Sequence, residues 1–254
     1  MIITSTDNAK IVACRKLADK KYRRANGSYL VEGERLIADA IRHGAIVTDI
    51  FVKESVADKF AETYLEANVV ADKTFAVISD TVNSQGIVAV LRYDSDESLS
   101  LPLGNCLVLD NVQDPGNAGT LIRTAAATGF DTIYAVNSVD LYSPKVLRSA
   151  MSAHFCVKMY ETHDYELLFG MLSNADCQIV CADMDGTDVF TESFPKKVAL
   201  VVGNEGNGLS DFSKRNCNKV VSLPMKHDFE SLNVAVAGSV LMYQVFASQS
   251  KLTK

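Results

Sequence analysis

The feature that most constrains the fold of this chain is an alternation of short apolar runs and helical patterns in its second half. The apolar runs predict six strands, at residues 106–110, 132–136, 156–160, 178–182, 198–202 and 219–222. Segments with helical spacing follow several of them, and a long uncharged helix is predicted from residue 231. Strands that alternate with helices form a mostly parallel sheet covered on both faces. The second half is therefore predicted to be a parallel-sheet α/β domain.

A shorter alternation of the same kind occupies the first ninety or so residues. Strands are predicted at residues 29–31, 46–52 and 87–91, and helices at 34–44 and 55–66, which together make a compact α/β unit. The polar, acidic segment RYDSDESLSLPLGN, residues 92–105, has the composition of a linker. We therefore expect one domain at residues 1–95, a linker at 96–105 and a second domain at 106–254.

Bulk composition narrows the class of protein and its compartment. The chain of 254 residues is 48% hydrophobic and 22% charged, which is typical of a globular protein. No basic region followed by an apolar run opens it, and the uncharged stretch 231–250 carries too many polar side chains for a bilayer span. Six scattered cysteines indicate reduced core thiols rather than disulfides or a zinc site. The prediction is a cytoplasmic protein that does not bind membranes.

Positive charge is concentrated near the amino terminus, although the whole chain has a net charge of −6. Seven cations and one anion lie between residues 10 and 24, so the remainder carries about −12. Such a patch is either a solvated helix face or a surface that binds RNA phosphates. The seven cations are Lys10, Arg15, Lys16, Lys20, Lys21, Arg23 and Arg24.

Three loops of the second half follow predicted strands at their carboxyl ends, where open α/β sheets bind ligands. In the first, LVLDNVQDPGNAGTLIRTAAATGFD at residues 107–131, a strand leads through a Pro-Gly turn into a helix. Arg123 lies off the apolar stripe of that helix and faces solvent or a substrate. The pattern alone also fits an ordinary strand–turn–helix in which Asn117 is the N-cap and Arg123 is solvated.

The second loop, ALVVGNEGNGLS at residues 199–210, has three glycines that allow a sharp turn and a close approach of the backbone to a ligand. It lacks the Gly-Lys-Ser/Thr ending of a P-loop and the GxGxxG spacing of a dinucleotide fold. Glu205 lies among these glycines. The alternative interpretation is a glycine-rich turn with an exposed acid.

The third loop, VSLPMKHDFESLNVAVAGSVLMYQV at residues 221–245, places Ser231 as the N-cap of the uncharged final helix. A helix that is apolar on nearly all sides is either buried in the domain core or covered by a partner chain, and both remain open. The four histidines are isolated, with neither a metal-binding nor a triad pattern, so no metal is expected.

The segments DNVQDPGNAGTLIRTA, VVGNEGNGLS and LPMKHDFESLNVAVAG strongly resemble the three signature motifs of the SpoU (TrmH-type) RNA ribose 2′-O-methyltransferases, which belong to the SPOUT superfamily. The order and spacing match, and the resemblance extends from Cys106 to the carboxyl end. The first half, especially YLVEGERLIADAI, resembles more loosely the substrate-binding domain that precedes the catalytic domain in many members.

This resemblance implies a homodimeric enzyme that transfers a methyl group from S-adenosylmethionine to a ribose 2′-hydroxyl of structured RNA. The similarity of the first half favours ribosomal RNA, and transfer RNA stays open as the alternative substrate. It implies a catalytic α/β domain whose carboxyl end forms a trefoil knot. The cofactor would be held by Val202, Gly203, Asn204, Gly206, Leu223, Met225 and Leu232. The implied catalytic residues are Asn117, Arg123, Glu205, Ser231 and Asn233. The segment RSAMSAHF departs from the family pattern at Ala150 and Ser152, which puts substrate contacts there in doubt.

The resemblance also implies that Arg123 is a general base, but a guanidinium keeps its proton far above neutral pH. We therefore expect Arg123 to clamp an RNA phosphate and stabilise the developing alkoxide. Asn117 and Glu205 would orient Arg123 and the ribose, and Ser231 and Asn233 would shape the cofactor loop. Two other classes stay open, a catalytically silent RNA-binding or ribosome-assembly protein and a small-molecule nucleotide enzyme. The basic patch argues against the second class.

Overall fold

The structure, a computed structural model, describes residues 1–93, 98–226 and 231–252. These residues form two compact units, one of residues 1–93 with 142–144 and the other of residues 98–141 with 145–252. The predicted boundary between residues 95 and 96 lies outside the described residues, as does part of the third loop, 227–230.

A four-stranded sheet forms the centre of the first unit. Its strands are β1 (Ser28–Glu32), β2 (Val47–Lys53), β3 (Asn68–Val70) and β4 (Ile87–Arg92), in the order β1-β4-β2-β3. β4 is antiparallel to β1 and β2, whereas β3 is parallel to β2. Five short helices accompany the sheet: α1 (Ala9–Lys16), α2 (Lys20–Asn26), α3 (Glu34–Arg42), α4 (Ala57–Phe60) and α5 (Asp72–Phe75).

The predicted helix at residues 55–66 is wrong for most of its length. Only α4 is α-helical, preceded by a 3₁₀ turn at Glu54–Val56. After Phe60 the chain forms turns, with Thr63 N bonded to Phe60 O and Ala67 N bonded to Tyr64 O. Phe60 and Tyr64 are both buried, so these turns bury the apolar residues whose spacing resembled a helix. The chain then enters β3, which is too short to show a periodic pattern.

The second unit is built on a six-stranded sheet in which every neighbouring pair is parallel. Its strands are β5 (Asn105–Asp110), β6 (Phe130–Val136), β7 (Lys158–Thr162), β8 (Gln178–Asp188), β9 (Val198–Val202) and β10 (Lys219–Ser222), in the order β10-β8-β9-β5-β6-β7. Every residue of the central strands β5 and β9 is buried. The prediction of a parallel-sheet α/β domain is confirmed.

Five helices connect and cover these strands. They are α6 (Pro115–Ala127), α7 (Pro144–Ala150), α8 (Tyr165–Asn174), α9 (Asp211–Asn216) and α10 (Val234–Leu252). Residues of the expected linker that the structure describes pack on this unit, since Leu99 contacts its apolar core and Ser100 O accepts a hydrogen bond from Tyr134 Oη at 2.5 Å.

The final helix differs from prediction in its start. It begins at Val234, and its cap is Asn233, whose Oδ1 accepts from Ala235 N at 2.9 Å and Val236 N at 3.2 Å, so the assignment of Ser231 as the cap is wrong. Within this chain α10 is not buried all round, since four large side chains lie exposed on it, Val236, Val240, Tyr243 and Phe246. None of the helices in the described ranges is long and apolar enough to cross a membrane.

Candidate active site

The strand order brings the first two loops of the sequence together. β5 and β9 are paired and parallel, so Asp110 and Val202, their last residues, lie at the same edge of the sheet. Asp114 then caps α6, because its Oδ1 accepts from Asn117 N at 2.8 Å. Asn117 is therefore not the N-cap, and its side chain is available for other contacts.

Two side-chain hydrogen bonds join all three loops. Asn233 Nδ2 donates to Asn117 Oδ1 at 3.0 Å, and Asn117 Nδ2 donates to Glu205 Oε1 at 3.0 Å. An ionised carboxylate can only accept, so Asn117 must present its nitrogen to Glu205 and its oxygen to Asn233. We call these three side chains the polar chain of the site.

Glu205 accepts several hydrogen bonds from the first loop. Besides Asn117, its carboxylate accepts from Gln113 N at 3.2 Å and from Asp114 N at 3.1 Å. Desolvation by partial burial raises the pKa of Glu205, but these hydrogen bonds outweigh it and leave the pKa below its usual value. Glu205 is therefore a carboxylate at neutral pH, and it holds backbone in place rather than supplying a proton.

The glycine-rich loop is organised by Asn204. Its backbone exchanges two hydrogen bonds with Gly208, and its Oδ1 accepts from Gly206 N and from Asn207 N, both at 2.9 Å. A Cβ on Gly203 would lie 2.4 Å from the carbonyl carbon of Gly208, so the loop itself requires glycine there. A Cβ on Gly206 would meet nothing closer than 3.7 Å, so Gly206, unlike Gly203, leaves open space.

A buried carboxylate fixes the far end of that loop. Asp110 is fully buried, and its Oδ2 accepts from both the backbone nitrogen and the hydroxyl of Ser210 at 2.8 Å. Its Oδ1 accepts from Tyr165 Oη at 2.5 Å. Ser210 in turn caps α9. Asp110 therefore joins β5 to α8 and α9, and the sequence patterns did not single it out.

The second and third loops line a cavity of about 580 Å³, together with residues of β8 and α9. All seven residues predicted to hold the cofactor line it: Val202, Gly203, Asn204, Gly206, Leu223, Met225 and Leu232. Glu205, Ser231 and Asn233 line it as well, and Asn117 is joined to it through the polar chain. Arg123 is exposed on α6 outside the lining, and it forms no hydrogen bond or ion pair with the residues that the structure describes.

Residues that the sequence did not indicate also line this cavity. Asp183 and Met184 come from β8, and Lys214 comes from α9. Lys214 Nζ lies 2.8 Å from Asp183 Oδ2. The apolar run that predicted β8 ends at residue 182, so no pattern pointed to the residues after it.

Within the first unit, the structure corrects one residue of the predicted RNA-binding patch. Arg23 is buried, with 3% of its surface exposed, and its Nη1 donates to Leu17 O and Ala18 O at 2.7 Å. It joins α1 to α2 and is not available to phosphates. Lys10 forms an ion pair with Asp49 at 2.8 Å. The remaining cations are exposed or half-buried: Arg15, Lys16, Lys20, Lys21 and Arg24.

A parallel sheet with a glycine-rich loop and a cavity at its carboxyl edge defines an α/β protein of the class that binds small ligands at this edge. A model of the SpoU rRNA methylase family matches residues 104–243, and a model of the MRM3-like substrate binding domain matches residues 8–89. The chain belongs to the SpoU rRNA methylase family. This membership confirms the prediction of an RNA 2′-O-methyltransferase that uses S-adenosylmethionine.

Relatives match the chain along nearly its whole length. It is 31% identical to the 23S rRNA (guanosine(2553)-2′-O)-methyltransferase RlmP of Bacillus subtilis, over 96% of this chain and 98% of that protein. It is 32% identical to an uncharacterised tRNA/rRNA methyltransferase of Synechocystis, over 97% and 94%. The crystal structure of an AdoMet-bound rRNA methyltransferase from Sinorhizobium meliloti superposes with a TM-score of 0.83 at 27% identity, covering 96% of each chain.

The lowered pKa of Glu205 predicts how the stability of the site depends on pH. Hydrogen bonds to the carboxylate stabilise the folded state above the unfolded-state pKa, and this stabilisation is lost as the pH falls through the lower folded-state value. In urea unfolding, Glu205→Gln should therefore be less stable than the wild type at neutral pH. The difference should shrink below about pH 4.5.

The exposed Glu62→Gln is the matched control, since Glu62 forms no hydrogen bond with the other residues that the structure describes. It should show no such pH dependence. A Glu205→Gln difference that stays constant from neutral to acidic pH would contradict the hydrogen bonds assigned to this carboxylate.

Proposed function

We propose that this chain transfers the methyl group of S-adenosylmethionine to a ribose 2′-hydroxyl of ribosomal RNA. The observation that carries the proposal is the cavity lined by the second and third family motifs, to which Asn117 of the first motif is joined through the polar chain. The names of the relatives support ribosomal RNA as the substrate, since RlmP is named for 23S rRNA. The match of the first unit to a substrate binding domain supports a role in holding that RNA.

The cavity suits S-adenosylmethionine in size and chemistry. Its volume lies within the range of small-molecule sites, and Leu223, Met225 and Leu232 offer apolar surface for an adenine ring. Backbone around Gly206 is open to a close approach. When bound, the cofactor supplies a methyl group activated by a positively charged sulfur. Residues of the second and third motifs that line the cavity would hold it.

The polar chain positions the ribose and the cofactor and does not itself react. The oxygen and the nitrogen of the Asn117 amide both form hydrogen bonds within the protein, and both oxygens of the Glu205 carboxylate accept hydrogen bonds from the first loop. These side chains therefore fix where the ribose and the cofactor meet, and their hydrogen bonds do not extend to Arg123 within one chain. Ser231 lies on the third loop beside Leu232 and shapes the cavity wall.

Arg123 supplies a positive charge that binds the RNA. Its exposed guanidinium can form two parallel hydrogen bonds to a phosphate and can stabilise negative charge that develops on the attacking oxygen. The proton of the attacking 2′-hydroxyl would then be lost late in the methyl transfer, with water as its acceptor.

Arg123→Ala should reduce methyl transfer by about 100-fold or more while leaving the affinity for S-adenosylhomocysteine nearly unchanged. The assay follows labelled methyl groups into ribosomal RNA from cells that lack this protein, and calorimetry follows cofactor binding. Arg123→Lys keeps the charge but loses the planar fork, so a clamp predicts low activity at every pH, whereas a base predicts activity that rises steeply with pH.

The exposed Arg215→Ala serves as the control, because Arg215 lies on α9 with its charge in solvent. Full activity in Arg123→Ala would exclude Arg123 from the reaction. Wild-type protein that binds the cofactor and RNA without any methyl transfer would instead indicate a silent RNA-binding protein.

We also propose that two copies of this chain associate through α10. The exposed side chains Val236, Val240, Tyr243 and Phe246 recur at spacings of three and four residues and so share one face of the helix. Arg123 precedes Thr124, whose hydroxyl lies 2.9 Å from that of Ser239 on α10. A second copy seated on this face would come close to Arg123, which supports an active site completed by both copies.

Replacing Tyr243 and Phe246 together with Glu should place charge in the middle of this interface and give monomers. Light scattering should report about 55 kDa for the wild type, twice the 27.6 kDa chain, and the chain mass for the variant. Leu167→Glu, at an exposed apolar position of α8, should leave the mass unchanged. A wild-type monomer with full activity would contradict the shared site.

A trefoil knot and a cytoplasmic location complete the proposal. The knot is supported by the close passage of β8 and β10 beside the cavity, since a Cβ on Gly186 would lie 2.4 Å from the backbone of Val221. The cytoplasm is supported by the free cysteines and by the ribosomal substrate.

We propose further that the exposed cations of α1 and α2 bind RNA phosphates. Reversing Arg15, Lys16, Lys21 and Arg24 to Glu should weaken RNA binding and lower the salt dependence of log K by about 0.7–0.9 for each phosphate that the protein no longer neutralises. Filter binding at several salt concentrations measures this slope. Arg23 is left unchanged because it is buried.

The control reverses Arg35 and Lys73, two exposed cations of the same unit outside the patch. The slope should hardly change in this control. An unaltered slope in the patch variant would mean that these cations form a solvated helix face and do not bind RNA. The affinity for the cofactor should be the same in all three proteins.

A further inference from the structure

Strand β8 departs from its edge partner next to the cavity. Val220 of β10 is paired with Cys181, whereas the next residue, Val221, is paired with Thr187. Residues 182–186 are therefore an insertion on one side of the ladder. Such bulges bend a strand and re-aim its side chains, and they are frequent beside functional sites.

The backbone on both sides holds this bulge in place. Ser222 Oγ donates to Gly186 O at 2.8 Å, and Thr187 Oγ1 donates to Glu192 Oε1 at 2.8 Å and lies 3.3 Å from Val220 O. Gly186 passes so close to Val221 that a side chain there would overlap the backbone. The bulge brings Ala182, Asp183 and Met184 to the wall of the cavity.

Asp183 is one of two acids in the bulge, and it is largely buried, with 18% of its side chain exposed, whereas Asp185 is exposed. Its Oδ2 lies 2.8 Å from Lys214 Nζ, and its Oδ1 accepts from Asp185 N at 3.3 Å. The hydrogen bond from Lys214 is the main cause of the lowered pKa of Asp183. The side chain is thus an oriented carboxylate at neutral pH.

We infer that Asp183 binds the two ribose hydroxyls of the adenosine part of the cofactor, and that Lys214 positions its carboxylate. The inference rests on the proposed function, since it assigns a contact to the cofactor named there. Cys181 pairs with Val201 in β9, two residues before Asp183 and Gly203 respectively. Asp183 therefore lies beside the start of the glycine-rich loop, just past the part of β8 that pairs with β9.

The chemistry of the pair favours neutral hydroxyls over the charged amino-acid end of the ligand. Lys214 already balances the charge of Asp183, so a ligand ammonium would have to compete with a lysine at 2.8 Å. Hydroxyl donors need no such exchange. A carboxylate has about four acceptor positions, and the contacts with Lys214 and Asp185 leave room on its oxygens for two O–H donors. An acid at a strand end is also how many α/β folds hold a ribose.

Calorimetry with two ligands tests the assignment. Asp183→Ala should weaken binding of S-adenosylhomocysteine and of 5′-methylthioadenosine by the same factor, about 10- to 100-fold, because both contain the ribose. The wild type should also lose affinity for 2′-deoxy and 3′-deoxy forms of 5′-methylthioadenosine. The Asp183→Ala variant should bind the ribose and deoxyribose forms alike.

The control is Asp49→Ala, which removes another acid paired with a lysine at 2.8 Å, Lys10, in the first unit and outside the cavity lining. Its ligand affinities should equal those of the wild type. Should Asp183→Ala fail to fold, the isosteric Asp183→Asn gives the same comparison, with a smaller expected loss of about 10-fold.

Lys214 is distinguished from a merely structural residue by a pH profile. In Lys214→Met the pKa of Asp183 should rise. When the pH is lowered, Asp183 should therefore become protonated, and ligand affinity should be lost, at a higher pH than in the wild type. An unshifted profile would overturn the positioning role.

Three results separate this inference from the proposed function. A wild type that does not bind S-adenosylhomocysteine would overturn both. Normal binding by Asp183→Ala, or a loss confined to S-adenosylhomocysteine with 5′-methylthioadenosine unaffected, would overturn only the ribose contact. The second of these would place Asp183 at the amino-acid end instead.

Discussion

The site depends above all on the hydrogen bonds that run from Asn233 through Asn117 to Glu205. They connect segments as far as 116 residues apart in the chain. Because the ionised carboxylate of Glu205 can only accept, Asn117 must point its Nδ2 at Glu205 and its Oδ1 at Asn233. Asn233 must therefore donate from its own Nδ2. Asn233 also caps α10, so the same contact relates the start of the last helix to the two loops that precede it.

The polar chain can act in this way because its supports are rigid. β5 and β9 are buried along their whole length, and each delivers one loop to the same edge of the sheet. Asp110 holds Ser210 at the end of the glycine-rich loop, and Asn204 closes the loop on Gly208. The backbone of this loop is thereby arranged before any ligand arrives, which lowers the cost of ordering it on binding.

Much of this architecture could be predicted because long apolar runs and family motifs are local signals. Each of the six strands of the parallel sheet overlaps its predicted range, and all seven residues expected at the cofactor line one cavity. Predictions failed where burial and hydrogen bonds that the residue pattern does not contain decide the outcome. Arg23 looks like a surface cation in sequence, yet the carbonyls of Leu17 and Ala18 bind it in a buried position. The helix expected after residue 55 is mostly turns that bury Phe60 and Tyr64.

The sequence by itself determined the α/β class, the family and the residues of the second and third motifs that face the cavity, because these follow from periodicity and from motifs read within single segments. Only the tertiary structure decided which of those residues touch. The link from Asn117 to Glu205, the pairing of Asp183 with Lys214 and the bulge that carries Asp183 each need strands and helices from separate parts of the chain. Such contacts depend on the order of strands in the sheet, and no local pattern of residues contains that order.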